Sequence, residues 1–259
     1  MKKIFIFFSL ALMGLASAFA QPQIEPDFSS VCSTGQVLYY RIVDYGEVSV
    51  CPYFQYPEML GGFIKVPRTV KHEGQNYVVT SIADSAFANC IRIQGVELPN
   101  TMFVIGDYAF DSCTDLRIIE MPKTLTTIGE YAFQDCVSLV DVVMPHSVVE
   151  LGAFAFLNCK NVRHFVISHA LTEIPEGCFF NCSSVTNYLI PASVSTIGCY
   201  AFGGYKALKD VTFFGAVPPM PVCDTELTFG RDIPVYVTRK AFDAYKSSYI
   251  WGQYQLKEM

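Results

Sequence analysis

The sequence predicts an α/β solenoid of six 23-residue rungs, each a strand, a turn and a short helix. A β-rich N-terminal cap and a β/α C-terminal cap close it. Three observations predict this. Cys90, Cys113, Cys136, Cys159 and Cys182 stand 23 residues apart, as do Phe87, Phe110, Phe133, Phe156, Phe179 and Phe202. Ile82, Ile105, Ile128, Leu151, Ile174 and Ile197 share the period, and a fixed period in the twenties is the mark of stacked repeats. Finally, the 259 residues are 51% hydrophobic and 16% charged, which excludes a disordered chain.

Along the chain, residues 1–20 read as a leader. Lys2 and Lys3 precede the apolar run Ile4 to Leu15, and Ala18-Phe19-Ala20 supplies the small-x-small cleavage pattern. Twelve apolar residues are short of the ~20 that a membrane span needs. The expected mature chain, Gln21 to Met259, is exported without stable membrane insertion, and loss of the two lysines takes its net charge from −6 to −8. Residues 21–81 form the N-terminal cap, 82–214 the solenoid and 215–259 the C-terminal cap.

One rung runs from Ile105 to Ile128. Gly106 permits a tight turn. Phe110, Cys113 and Leu116, three apart, share one face of a short helical turn. From there the period becomes two: Ile119 and Met121 point one way, Ile118 and Glu120 the other. Pro122 ends the strand. No rung covers its own apolar side, so stability comes from stacking.

The pattern Leu-x-x-Ile-x-Met-Pro followed by Leu-x-x-Ile-Gly-x-x-Ala-Phe-x-x-Cys resembles the BspA-type (Treponema pallidum-type) leucine-rich repeat, and the copies MPKTLTTIGEYAFQDCVSLVDVVMP and IPASVSTIGCYAF are close to it. Tyr39-Tyr40-Arg41-Ile42, Gly62 to Pro67 and Tyr77 to Ile82 resemble the entry segment of such proteins from Bacteroides-like bacteria. Pro234 to Val237, Ala244-Tyr245 and Trp251 resemble their closing strand and helix. The resemblance implies a leucine-rich-repeat fold, export to the cell envelope and adhesin-like binding to a host matrix protein, a bacterial surface protein or a glycan. The fifth copy departs from the pattern, with Ser168 for Pro, Pro175 for Gly and Cys178 for Ala. The sixth has Tyr205 for Cys and Phe214 for Pro, as a capping repeat does. The short stretch after the rungs favours a periplasmic or secreted protein over an outer-surface one.

Residues 23 apart become neighbours about 4.8 Å apart, so the strand face carries two outward columns. One is Gly95, Ile118, Asp141, His164, Asn187 and Asp210; the other is Glu97, Glu120, Val143, Val166, Leu189 and Thr212. The expected ligand-binding residues are Ile118, Glu120, Asp141, Val143, His164, Val166, Asn187 and Leu189, with Val143, Val166 and Leu189 forming an apolar strip. The same residues also suit a structural ladder, and the competing reading is an envelope scaffold without a dedicated ligand.

The five periodic cysteines point in parallel, poor geometry for bridging, and read as buried thiols. Cys32 and Cys51 are the expected bridge; Cys178, Cys199 and Cys223 have no partner assignable from spacing. Cys178-x₃-Cys182 is a poor match to a zinc site. Glu97, Glu120 and Asp141, or Glu150 with Glu173, are calcium-compatible oxygens without a dedicated loop. His72, His146 and His169 fall in turns without partners. Asp141 beside His164 resembles two parts of a triad, but Asn187 stands where a nucleophile belongs, so an unrecognised hydrolase is the distant alternative. The expectation is no enzyme, no cofactor and no metal. No concentrated basic footprint marks a nucleic-acid binder.

Overall fold

The computed structural model describes residues 25–52, 57–223, 229 and 232–259; the expected leader, residues 1–20, lies outside them. The architecture corrects the α/β expectation. The chain is an almost all-β solenoid of about seven turns. Among the described residues the one α-helix, Phe242–Ser247, belongs to the C-terminal end and not to a rung. None of the described helices is long and apolar enough to cross a membrane.

The predicted helical turns are missing for a backbone reason. Each holds two residues in the left-handed region, four apart: Tyr108 (φ 55°) and Ser112 (φ 58°), Tyr131 (φ 53°) and Asp135 (φ 54°), Phe154 (φ 56°) and Asn158 (φ 61°). A right-handed helix cannot run through them. Alternate amides instead reach the next rung: Tyr108, Phe110 and Ser112 donate to the carbonyls of Glu130, Ala132 and Gln134 at 2.8 Å each. Local bonds three residues back, Cys113 to Phe110 (3.2 Å) and Leu116 to Cys113 (3.1 Å), preserve the spacing of three. Phe110, Cys113 and Leu116 are therefore fully buried as expected, but in consecutive tight turns.

Each rung places a strand on each of two faces, and the hydrogen-bonded strands of the first face fall into three sheets. The strand face is built from Gly61–Lys65, Arg92–Glu97 and Ile118–Glu120, then Asp141–Val143 with His164–Val166, then Asn187–Ile190, Asp210–Phe213, Pro234–Val237 and Gln255–Glu258, all parallel. The second face stacks two-residue strands such as Val104–Ile105, Thr127–Ile128 and Glu150–Leu151. Antiparallel hairpins precede the rungs, with Phe28–Val31, Val37–Asp44 and Glu47–Cys51 lying side by side. At the other end Trp251 is buried and its indole N–H donates to the Pro219 carbonyl at 2.7 Å.

The core is a set of ladders. Phe110, Phe133 and Phe156 stack with ring centroids 5.2 Å apart and planes within 5°. Beside them, the thiols of Cys113, Cys136, Cys159 and Cys182 donate to the carbonyls of Phe87, Phe110, Phe133 and Phe156 on the preceding rung, at 3.1–3.2 Å. A small side chain that fills space and carries a weak donor suits this place. Burial pushes these thiols well above their ordinary pKa, and the Cys51 thiol up to about 11. Eight cysteines are buried thiols outside any disulfide. A thiol reagent at pH 8 is therefore expected to find no fast-reacting group in the folded protein and eight in denaturant. Rapid modification of any ladder cysteine without denaturant would contradict the burial.

The expected Cys32–Cys51 bridge does not form. Val37–Asp44 lies between their two strands, putting them about two strand spacings apart, near 10 Å and beyond a disulfide's reach. Cys199 is bonded to Cys223 instead, with Cα atoms 5.4 Å apart. Thr196–Ile197 pairs in parallel with Met220–Pro221, so two residues further along each strand the cysteines arrive side by side.

Of the departures in the fifth copy, Ser168 has a local explanation, and nothing in the structure explains Pro175 and Cys178. The buried Ser168 ends its strand by accepting the Ala170 amide on its hydroxyl at 3.2 Å, a side-chain turn in place of proline. Gly177 occupies the left-handed position at φ 55°, where a Cβ would collide with the Phe154 ring folded over it. The glycine after the second strand serves a purpose other than the tight turn assigned to Gly106. A Cβ on Gly152 would lie inside the backbone of Gly129 and Glu130, so this rung closes on the one before it only if that atom is missing. Gly152→Ala is expected to cost about 1–3 kcal/mol, as overpacking does, read as a lower urea midpoint. A neutral result would mean that the rungs separate freely.

Candidate functional site

The strand face is the extended surface that the repeats present. Its register is as the columns require: Gly95 beside Ile118, Glu97 beside Glu120, Asp141 beside His164, Val143 beside Val166, Asn187 beside Asp210 and Leu189 beside Thr212. The alternation follows from the pleat. Ile119, Val142, Phe165 and Tyr188 turn into the core, and their neighbours face out.

The predicted site residues fall into two groups. Ile118, Val143, Val166 and Leu189 are 56%, 62%, 43% and 47% exposed; for side chains with no polar atom this is an uncovered apolar strip running across successive rungs. Glu120, Asp141 and His164 are also exposed, and Asn187 is half-buried. His164 Nδ1 lies 2.9 Å from Asp141 Oδ1. Both side chains are more than half exposed, where such a pair adds little to stability, so it is available to a ligand. Asn187 continues that column, and among the described residues no group of three or more His, Cys, Asp or Glu is placed to hold a metal.

Other sequence candidates are dispersed. The Glu97 carboxylate is taken by Lys65 at 2.6 Å, which leaves the suggested calcium oxygens without a shared centre. Glu150 accepts from the Thr127 hydroxyl at 3.2 Å. Cys178 and Cys182 are buried with strongly raised pKa values, the opposite of what a thiolate ligand needs. The histidines expected to lack partners have them: His72 stacks on Phe28 with centroids 4.3 Å apart, and His146 meets His169 edge-on at 4.8 Å.

The face is longer than the periodic columns indicated. Phe63 lies over Gly95, Lys65 pairs with Glu97, and at the far end Lys257 sits 5.6 Å above the Tyr236 ring. Irregular spacing hides these residues from a 23-residue period. The alternating Gly62-Phe63-Ile64-Lys65 and Pro234-Val235-Tyr236-Val237 were the available signal.

Residues 80–213 match the BspA type leucine-rich-repeat region in six copies. Among solved structures, a leucine-rich-repeat protein from Bacteroides ovatus is 18% identical with a TM-score of 0.52; the match covers 78% of this chain and 64% of that one. The chain therefore spans less than two thirds of that protein's length. A T. pallidum leucine-rich-repeat protein is 26% identical with a TM-score of 0.50, over 67% of this chain and 88% of that one. No curated protein matches.

Proposed function

Because this chain belongs to the BspA-type leucine-rich-repeat family, we propose that it is an exported interaction protein that binds a protein or glycan ligand through its strand face, as an adhesin does. The observation that carries this reading is the uncovered strip of Ile118, Val143, Val166 and Leu189. Solvent-facing apolar side chains aligned over several rungs gain by being covered. Glu120, the Asp141–His164 pair and Asn187 flank the strip and supply orientation, since polar groups beside an apolar centre set register more than affinity.

Export, with residues 1–20 as the leader, 21–81 and 215–259 as caps and 82–214 as the solenoid, belongs to the same proposal. The Cys199–Cys223 disulfide supports it, because such bonds persist in oxidising compartments. The periplasm, the outer surface and the medium all meet that condition.

The test is binding of the purified chain to host matrix proteins, bacterial surface proteins and glycans, beside a folded Val143→Lys, Val166→Lys, Leu189→Lys variant. Saturable binding by the natural chain, weakened at least tenfold in the variant, is expected. Equal binding by both chains would remove the strip from the interface and favour a scaffold.

A further inference from the structure

One edge of the strand face carries a pattern that the apolar strip does not use. The residue just before each short strand, with Gln94 of the longer strand Arg92–Glu97 at its head, forms its own column: Gln94, Arg117, Val140, Arg163, Thr186 and Lys209. Backbone bonds join these positions in pairs, each cation to the neutral residue before it. The amides of Arg117, Arg163 and Lys209 donate to the carbonyls of Gln94, Val140 and Thr186, one rung earlier, at 3.0, 2.8 and 2.8 Å. All three cationic residues are exposed, and none has an ion-pair partner among the described residues.

Cations thus occur on every second rung, with a neutral residue between. Two rungs are about 10 Å, twice the strand spacing. That exceeds the screening length of about 8 Å at physiological salt, so the charges act as separate anchors and not as one continuous field. A nucleic acid, with a charge every ~3.4 Å along each strand, is far denser than this row. The adjoining column also carries Asp141 and Asp210, which repel a densely charged chain. An extended polymer with one anionic group on every second unit fits: each acid meets a cation, and each neutral unit meets Val140 or Thr186.

We infer that the column of Arg117, Arg163 and Lys209 binds an acidic polysaccharide that carries a carboxylate on alternate sugars and lies along the solenoid axis. The inference rests on the reading of the strand face as a recognition surface and names the ligand class for its charged edge. Guanidinium groups at two of the three positions suit planar carboxylates. The exposed Val140 offers an apolar contact for a sugar ring between them.

Hyaluronan oligosaccharides, with one carboxylate per two sugars, are the probe. The purified chain is expected to bind them saturably and more weakly as salt rises. A folded R117Q/R163Q/K209Q variant should lose at least tenfold in affinity, while K123Q, outside the row, should lose none. Absence of binding, equal binding by the triple variant, or equally tight binding of polyglutamate or single-stranded DNA would overturn the inference. The strip variant separates the two proposals. Hyaluronan bound through the cations and not weakened by the strip lysines sustains this inference against the apolar-strip reading. A matrix protein bound through the strip, with hyaluronan unbound, does the reverse.

Discussion

Phe133→Ala is expected to lower the free energy of unfolding by about 3–5 kcal/mol, the range for deleting a fully buried phenylalanine. Phe133 has no exposed surface and lies between Phe110 and Phe156, each 5.2 Å away and within 5° of parallel. The substitution removes two stacked contacts, worth about 0.5–1.5 kcal/mol each, and leaves a hole between rungs that hydrogen bonds hold at fixed spacing. Because a solenoid's stability is a sum of rungs and nearest-neighbour interfaces, a break in the middle also weakens the coupling between halves. A lower urea midpoint with a shallower or divided transition is the expected observation. Ile118→Ala, on the exposed face, serves as the comparison and is expected to stay within about 0.5 kcal/mol. If both variants unfolded together, the aromatic ladder would not be the spine of the core.

Removal of the disulfide ranks second. Cys199 and Cys223 are separated by 24 residues, a closed segment for which the chain-entropy relation assigns about 3 kcal/mol. Cys199→Ala with Cys223→Ala is expected to lose about that much, mostly as fraying of the C-terminal end, because the bond ties the sixth rung to the strand Met220–Pro221. The natural chain in reductant should fall to the stability of the double variant, and the variant should ignore reductant. Hydrogen exchange should accelerate near Thr196–Ile197 and leave the middle rungs protected. Reductant without effect on the natural chain would show that the bond carries no stability.

How far the fold was legible follows from which interactions repeat. The interior position of Phe110, Cys113 and Leu116 is legible because a period of 23 can arise only if equivalent residues meet equivalent neighbours. Their conformation was not legible. A spacing of three is common to a helix and to tight turns linked by bonds three residues back, and the choice depends on left-handed residues such as Tyr108 and Ser112. Neither is a glycine, so nothing in their chemistry announces the turn. The carbonyls of the next rung stabilise it, and those carbonyls belong to a different part of the chain.

The strand-face columns could be written down from the pleat alone, as Asp141 beside His164 illustrates. The row of Arg117, Arg163 and Lys209 is not legible in the same way, because a strand's strict alternation assigns those positions inward. The corner leading into each strand turns them out. Cysteine pairing failed for a related reason. Cys32 and Cys51 lie close in sequence, yet an intervening strand separates them.

By itself, the sequence determined the repeat length, the buried ladders, the family and the outward columns of the middle rungs, though Gly95 and Thr212 at the ends of those columns are buried. Each of these depends on local alternation or on exact recurrence, which a linear string displays. Only the tertiary structure decided that the rungs are strands joined by tight turns with no helix, that Cys199 meets Cys223, and that the face extends to Phe63 and Tyr236. Those outcomes depend on backbone groups and strand neighbours far apart in the chain. Their contacts form only when one rung is laid against the next.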